Sequence, residues 1–266
     1  MTPGFAKSRA ELPWLPYGEV SRVIINSHNF TPPYSPAVNG KMPIAAWIES
    51  RDTQAVTSSV ATDFVAGLYP GTLTNMDLVA DPNTARIADT GAGGTRALLF
   101  DGTNDYVDCG DIAAFDFGTG NFGLSFWMKA PARTASYAVV SKDDWDSGSS
   151  GILFYGDVGT ANTVFYWSGT ARSFGAILNN SWQHVGVSRS GTGANQTAIY
   201  LNGASVLTFQ DARNLTNSFP FRLGNDKDGN RTFSGRLDDV RVWGQSLVLA
   251  DFQALYASGF GRGVQA

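Results

Sequence analysis

The chain has almost no glutamate. Of its 23 acidic residues, only Glu11, Glu19 and Glu49 are Glu, and none follows residue 49. Asp favours turns and caps, whereas Glu favours helix interiors, so this balance argues against a helical protein. Cysteine is equally scarce. The single Cys109 excludes an intrachain disulfide, and its place in an alternating run reads as a buried apolar thiol. Two His and one Cys, far apart, form no zinc cluster. No Lys/Arg run occurs, the net charge is −4 and the pI is near 5.1. That excludes nucleic-acid binding through a basic face. No stretch approaches about 18 uninterrupted apolar residues, which argues against membrane insertion. The start, MTPGFAKSRAELPW, lacks the apolar core of a signal peptide.

Proline is scarce after residue 45, because seven of the eleven lie before it (Pro3, Pro13, Pro16, Pro32, Pro33, Pro36 and Pro43). Proline fixes φ and removes a ladder donor, so residues 1–43 form neither a regular sheet nor a long helix. They are too apolar for a solvated tail. Phe5, Trp14, Tyr17, Phe30 and Tyr34 stand out among their large apolar groups. The expectation is an extended arm, with four basic against two acidic residues, that lays these aromatics against either its own domain or a neighbouring subunit.

What the remainder has is Gly, 30 in the whole chain, and short β-branched or aromatic runs. RALLFD, DYVDCG, FGLSFWMKA, SYAVVSK, GILFYG, NTVFYWSG, SWQHVGVSRSG, QTAIYLNG and FSGRLDDVRVWG recur at sandwich spacing. DGTND, DSGSSG, GTGAN and NDKDGN between them are turn chemistry. Asn202–Gly203 predicts a tight hairpin. LVLADFQALYAS predicts one short helix, with Ser246 as cap and Gly259 as stop. The fold class is all-β: a two-sheet antiparallel sandwich with an N-terminal arm and one C-terminal helix. Strict alternation places Trp182, His184 and Gly186 on one face of their strand. It also sets Leu237, Asp239, Arg241 and Trp243 opposite Asp238, Val240 and Val242.

Six segments in order resemble the laminin-G-like jelly-roll family of the concanavalin A-like lectin/glucanase fold. They are ALLFDGTNDYVDCGD (97–111), FGLSFWMKAP (122–131), SWQHVGVSRSG (181–191), AIYLNG (198–203), FRLGND (221–226) and FSGRLDDVRVWGQSLVLADFQALYAS (233–258). GTLTNMD (71–77) and AAWIESRD (45–52) resemble the family's early turn and first strand, so the sandwich is expected over 44–266 and the arm over 1–43. The arm has no counterpart in the family pattern.

The resemblance brings glycoside hydrolysis to the test, because glucanases share this fold. That chemistry needs two carboxylates flanking the scissile bond. The family's Glu-x-Asp-x-x-Glu pattern has no match here, and adjacent Asp238 and Asp239 alternate to opposite faces. No nucleophile elbow or phosphate loop occurs either; GAGGT (91–95) is a Gly-rich turn only. The expectation is a protein that is not an enzyme and requires no cofactor.

Two binding chemistries stay open. A structural calcium, implied by the wider fold, would join Asp101 and Asp105 of the DGTND turn to Asp239. NDKDGN (Asn225, Asp226, Asp228, Asn230) offers a second oxygen-rich turn, with an Asx turn as its ordinary reading. Trp145 and Trp167, the latter beside Tyr166, offer a stacking platform for a sugar. The arm and the resemblance together imply a structural assembly component of a bacteriophage virion, a head decoration or tail-associated protein whose partners are other subunits. The alternative is a lectin-like adhesin that binds glycans or glycoproteins.

Overall fold

In the computed structural model, the described residues are 36–49, 55, 57–65, 67–78, 86–88, 96–132, 135–143, 151–156, 163–167, 170–176 and 178–258. They hold sixteen strands in two antiparallel sheets, with one α-helix after them. The first sheet contains β1 (Ala45–Trp47), β4 (Arg86–Ala88), β5 (Arg96–Asp101), β7 (Phe122–Lys129), β12 (Gln183–Arg189), β13 (Thr197–Leu201), β14 (Ala204–Phe209) and β16 (Ser234–Trp243). Its order is β14-β13-β12-β7-β16-β5-β4, and β1 pairs with the far half of β16. The second sheet contains β2 (Val60–Ala61), β3 (Gly71–Thr74), β6 (Tyr106–Asp108), β8 (Tyr137–Lys142), β9 (Ile152–Gly156), β10 (Thr163–Trp167), β11 (Ala171–Ala176) and β15 (Arg222–Leu223). Its order is β11-β10-β9-β8-β15-β6-β3-β2.

Alternation sends one side of the longer strands into a shared core. Leu124, Phe126 and Met128 of β7 enter it, as do Val185 and Val187 of β12 and Phe154 of β9. Phe126 and Phe154 meet edge to face across the two sheets at 5.1 Å. Trp47 stacks on Phe221 at 5.4 Å, and its indole N–H donates to the Tyr69 carbonyl at 2.8 Å. A buried aromatic with a satisfied polar edge both fills and orients the core. Arg189 is fully buried, yet its guanidinium donates to the carbonyls of Gly118, Gly120 and Arg213. It thereby pins two loops, and desolvation holds its acidity above that of an ordinary arginine. Cys109 is half-buried against the main core, where burial pushes its thiol well up.

The predicted hairpin is present. Asn202 and Gly203 both take positive φ, 50° and 76°, and join β13 to β14. The predicted alternation of β16 fails midway. The register against β7 shifts between Asp238 and Arg241, and Asp239 has φ 53°. This extra residue is a bulge, and it changes the phase of every side chain after it. Leu237, Val240 and Val242 therefore share the core side. Trp243 belongs to a separate cluster with Tyr200 and Phe252.

The helix α1 (Leu249–Ala257) covers the outer side of the first sheet. Phe252 stacks on Tyr200 at 3.8 Å, and Tyr256 stacks on Trp127 at 5.7 Å. The N-cap is Val248, not Ser246. The Val248 N–H donates to the Asp251 carboxylate at 2.8 Å, a cap supplied from inside the first turn. The predicted stop, Gly259, lies outside the described residues. The sandwich also starts earlier than residue 44. Arg241 donates to the Pro36 carbonyl, Trp243 to the Lys41 carbonyl, and Lys41 forms an ion pair with Asp251 at 2.6 Å. Residues 36–43 are thus bonded to the sandwich.

Candidate functional site

The second sheet carries an outer face of mixed character. From β9, Leu153 and Tyr155 point away from the main core. With Ala138 they form a small cluster, against which half-buried Trp167 of β10 packs. Tyr155 and Trp167 meet edge to face at 6.3 Å. The cross-strand neighbour of Trp167 is Ala171, exposed and too small to cover an indole. Moving across the sheet, Leu153 pairs with Ser141, Ser141 with Arg222, Arg222 with Asp108 and Asp108 with Thr72. One row therefore runs from an aromatic and aliphatic end into hydroxyl, guanidinium and carboxylate groups. Arg222 lies over the Tyr106 ring at 4.5 Å and bonds Asp108 at 2.9 Å. Ser141 is buried and its hydroxyl donates to the Asn225 carbonyl, and Arg222 also donates to the Asp226 and Lys227 carbonyls, so the Asp108 end of the row is its more open part.

Tyr166 does not join this face. Alternation turns it inward, where it packs on Phe154 and Phe209. Its hydroxyl meets Asp211, which Arg213 holds by two hydrogen bonds of 2.9 Å. Burial pushes this phenol well up, so it stays protonated. Trp145 lies outside the described residues. So do the arm residues Phe5, Trp14, Tyr17, Phe30 and Tyr34.

The acidic turn is only partly assembled as expected. The Asp105 carboxylate accepts from the Asp101 N–H at 2.8 Å, and the Asp101 carboxylate accepts from the Thr103 N–H at 2.6 Å. Burial, with the charges of Asp101 and Asp77, pushes Asp105 up to about 6. Asp239 is not brought to this pair. Asp101 faces Ser234 at one end of β16, while Asp239 lies in the bulge and grips the Arg241 guanidinium. The Asp239 charge is thus already met by a guanidinium, away from the turn. Among the described residues, no group of three or more His, Cys, Asp or Glu is placed to hold a metal. The donor set expected for calcium does not fit. In the second oxygen-rich turn, Asp226 pairs with Arg231 at 2.7 Å and Asp228 with Lys227 at 2.8 Å. The Asn230 N–H donates to the Asp226 carboxylate at 2.9 Å and the Arg231 N–H to the Asn225 amide oxygen at 3.1 Å, so the turn closes on its own side chains.

His184 and Glu49 also carry titratable side chains. His184 lies under the helix, with its ring 5.3 Å from Trp127 and 6.5 Å from Tyr256. Glu49 is buried and paired with Arg96 at 2.6 Å. Both groups are built into packing. The sequence reading missed the networks of Arg189 and Arg213. An arginine inside an otherwise apolar or turn-like segment is the signal that would have marked each.

Comparison with known proteins gives the fold a family. The family model described as concanavalin A-like lectin/glucanases superfamily matches residues 101–251. The zebrafish (Danio rerio) adhesion G-protein coupled receptor V1 is 26% identical over 154 residues, which are 51% of this chain and 2% of that receptor. Domain 4 of AbnA, a GH43 extracellular arabinanase from Geobacillus stearothermophilus solved with arabinotriose, superposes with a TM-score of 0.55 at 18% identity. That match covers 80% of this chain and 97% of that domain. A Trypanosoma rangeli sialidase superposes with a TM-score of 0.58 at 13% identity, over 87% of this chain and 37% of the sialidase. The chain thus spans a small part of the receptor and about a third of the sialidase. Among the described residues, no helix is long and apolar enough to cross a membrane.

Proposed function

Since the chain belongs to the concanavalin A-like lectin/glucanases superfamily, we propose that it is a non-catalytic carbohydrate-binding module whose glycan face is the outer side of the second sheet. The observation that carries this is half-buried Trp167, backed by Tyr155, on the same outer face as Arg222 and Asp108. An indole set edge-on against a tyrosine offers a rigid apolar plane for a sugar ring, while carboxylate and guanidinium groups alongside fix its hydroxyls. The arabinanase domain with arabinotriose in its structure supports the same reading, because this chain's fold extends over nearly all of it. The reading as a virion assembly component draws on the arm and the family resemblance, and the comparisons lend it nothing further.

A broad glycan array followed by calorimetry on the bound glycan tests this. Trp167→Ala is expected to weaken that binding at least tenfold while leaving the thermal unfolding midpoint within a few degrees. No binder on the array, or equal affinity of wild type and Trp167→Ala, would overturn it.

A further inference from the structure

Lys142 closes β8 and points between the sheets, where its side chain is 1% exposed. Its register partner is Ile152 of β9, a residue of the main core. An ammonium buried there must be met by oxygen, because an unpaired charge away from water is strongly disfavoured. Five oxygens meet it. Asp111 Oδ1 and the Asn217 carbonyl lie at 2.8 Å, Asn217 Oδ1 at 3.1 Å, and Asp116 Oδ1 and the Phe219 carbonyl at 3.2 Å. Asp111 and Asp116 follow β6, whereas Asn217 and Phe219 lie between β14 and β15. One nitrogen thus joins three segments far apart in the chain.

Three features set this arrangement apart from an ordinary ion pair. An ammonium has three hydrogens, so five oxygens exceed what it can bond at once. The set holds two carboxylates, one amide oxygen and two backbone carbonyls, hard donors of the kind that surround calcium. And within the set two carboxylates face a single positive charge. The donors are also held in place from outside. Asp116 Oδ1 accepts from the Asn217 N–H at 3.2 Å, and Asn217 Oδ1 accepts from the Phe219 N–H at 3.0 Å. The Asn217 amide group donates to the Lys142 carbonyl at 3.1 Å. Gly151, just before β9, leaves the wall of the cage unobstructed. A Cβ on it would lie 2.1 Å from the Lys142 carbonyl and 2.9 Å from Asn217 Nδ2. The Asp111 side chain is 44% exposed, so one side of the cage opens to water.

We infer that Lys142 is the resident cation of a five-oxygen cage whose donors also suit calcium, and that removing its ammonium converts the cage into a calcium site. Calcium takes about six to eight oxygens at about 2.3–2.6 Å. The cage supplies five, and water entering beside Asp111 supplies the rest. The oxygens must close in by about half an ångström, which the loss of the lysine side chain permits. A divalent ion then balances both carboxylates. In the native chain the ammonium is tethered and cannot diffuse away, so it holds the three segments together at any calcium concentration. This inference is independent of the glycan face.

Thermal unfolding and calorimetry on the full chain, with calcium as the probe, test this in wild type, Lys142→Ala, Lys142→Met and Lys142→Ala combined with Asp116→Asn. Calcium at about 10 mM should raise the unfolding midpoint of Lys142→Ala by about 5 °C over its value in chelator, as expected for a site of submillimolar affinity. Calorimetry should show one ion bound per chain. Wild type should show neither effect, and Asp116→Asn should abolish both. Lys142→Met, which keeps the lysine stem packed, covers the case in which Lys142→Ala does not fold. Folding of Lys142→Ala only when calcium is added is the same result in a stronger form. A calcium response in neither variant, folded or not, would overturn the inference. So would a response that survives Asp116→Asn, or an equal response of wild type, because the ion would then sit elsewhere.

Discussion

Phe252 occupies the space that a side chain at Gly186 would need. A Cβ on Gly186 would sit 2.2 Å from Phe252 Cε1. The missing side chain is what allows the helix to seat its aromatic directly on β12, against Tyr200 and His184. Gly186→Ala should therefore cost about 1–3 kcal/mol through overpacking. Phe252→Ala should cost about 3–5 kcal/mol by leaving the same site empty. Urea unfolding of both variants and the double variant checks the pairing. The double variant should lose less than the two singles added together, because the clash requires both.

The ion pair in the bulge offers a second measurement. Asp239 and Arg241 are both buried, and they hold each other at the point where β16 changes phase. Asp239→Asn keeps a residue tolerant of positive φ but leaves a guanidinium buried without its counter-charge. A loss of about 3 kcal/mol is expected. Adding Arg241→Met to that variant should recover part of the loss. If the double variant is no more stable than Asp239→Asn alone, the pair is not what stabilises the bulge.

Two carboxylates give opposite dependences on pH. Asp105 is pushed up to about 6, chiefly by burial. Its native form holds a proton that the unfolded chain releases near 4, so stability falls as pH rises from about 4 to about 6. Asp105→Asn removes that dependence and keeps an oxygen for the Asp101 N–H. Its melting temperature should exceed that of wild type above pH 6, by an amount worth up to about 3 kcal/mol, and the gap should close near pH 4.

For Asp251, burial acts upward but is outweighed by hydrogen bonds from Lys41, the Val248 N–H and Asn39, which lower it. The stability it contributes is complete above the ordinary carboxylate range and is lost as pH falls through its lowered value. Asp251→Ala should cost about 1.5–3 kcal/mol at pH 7, as expected for bonds to a charged group. It should also detach the loop around Lys41 from the helix start. Chemical unfolding at pH 7 and at pH 3, where the deficit shrinks, checks both parts.

How much of this was legible in the chain depends on how local each cause is. The Asn202–Gly203 hairpin was, because its positive φ values are a property of those two residues. The strands of β7 and β12 were, because period-2 alternation survives along them. The second half of β16 was not. Alternation read through Asp238–Asp239 has no means of registering one extra residue, so Arg241 and Trp243 kept the right company for the wrong reason. The cap of α1 was misplaced because the acceptor lies inside the helix, at Asp251, rather than before it at Ser246. At the candidate site, Trp167 stood out, but which of Tyr166 and Trp167 faces the core is decided by the opposite sheet. The oxygens around Lys142 come together only through loops far apart in the chain.

The position of the last two strands bears on how this protein is made. β16 lies between β7 and β5, and β15 lies between β8 and β6. Each sheet is therefore two half-sheets joined by a strand translated after all the others. While the ribosome is still working, β7, β5, β8 and β6 have open edges and no neighbours to close them. Such edges are templates for pairing with another chain. Contacts like Ala45 with Val242 add the entropy of closing nearly the whole domain as a loop. Native pairing must wait for the end of synthesis and then proceed slowly, so a chain stopped before residue 222 should emerge as an aggregating species that depends on chaperones.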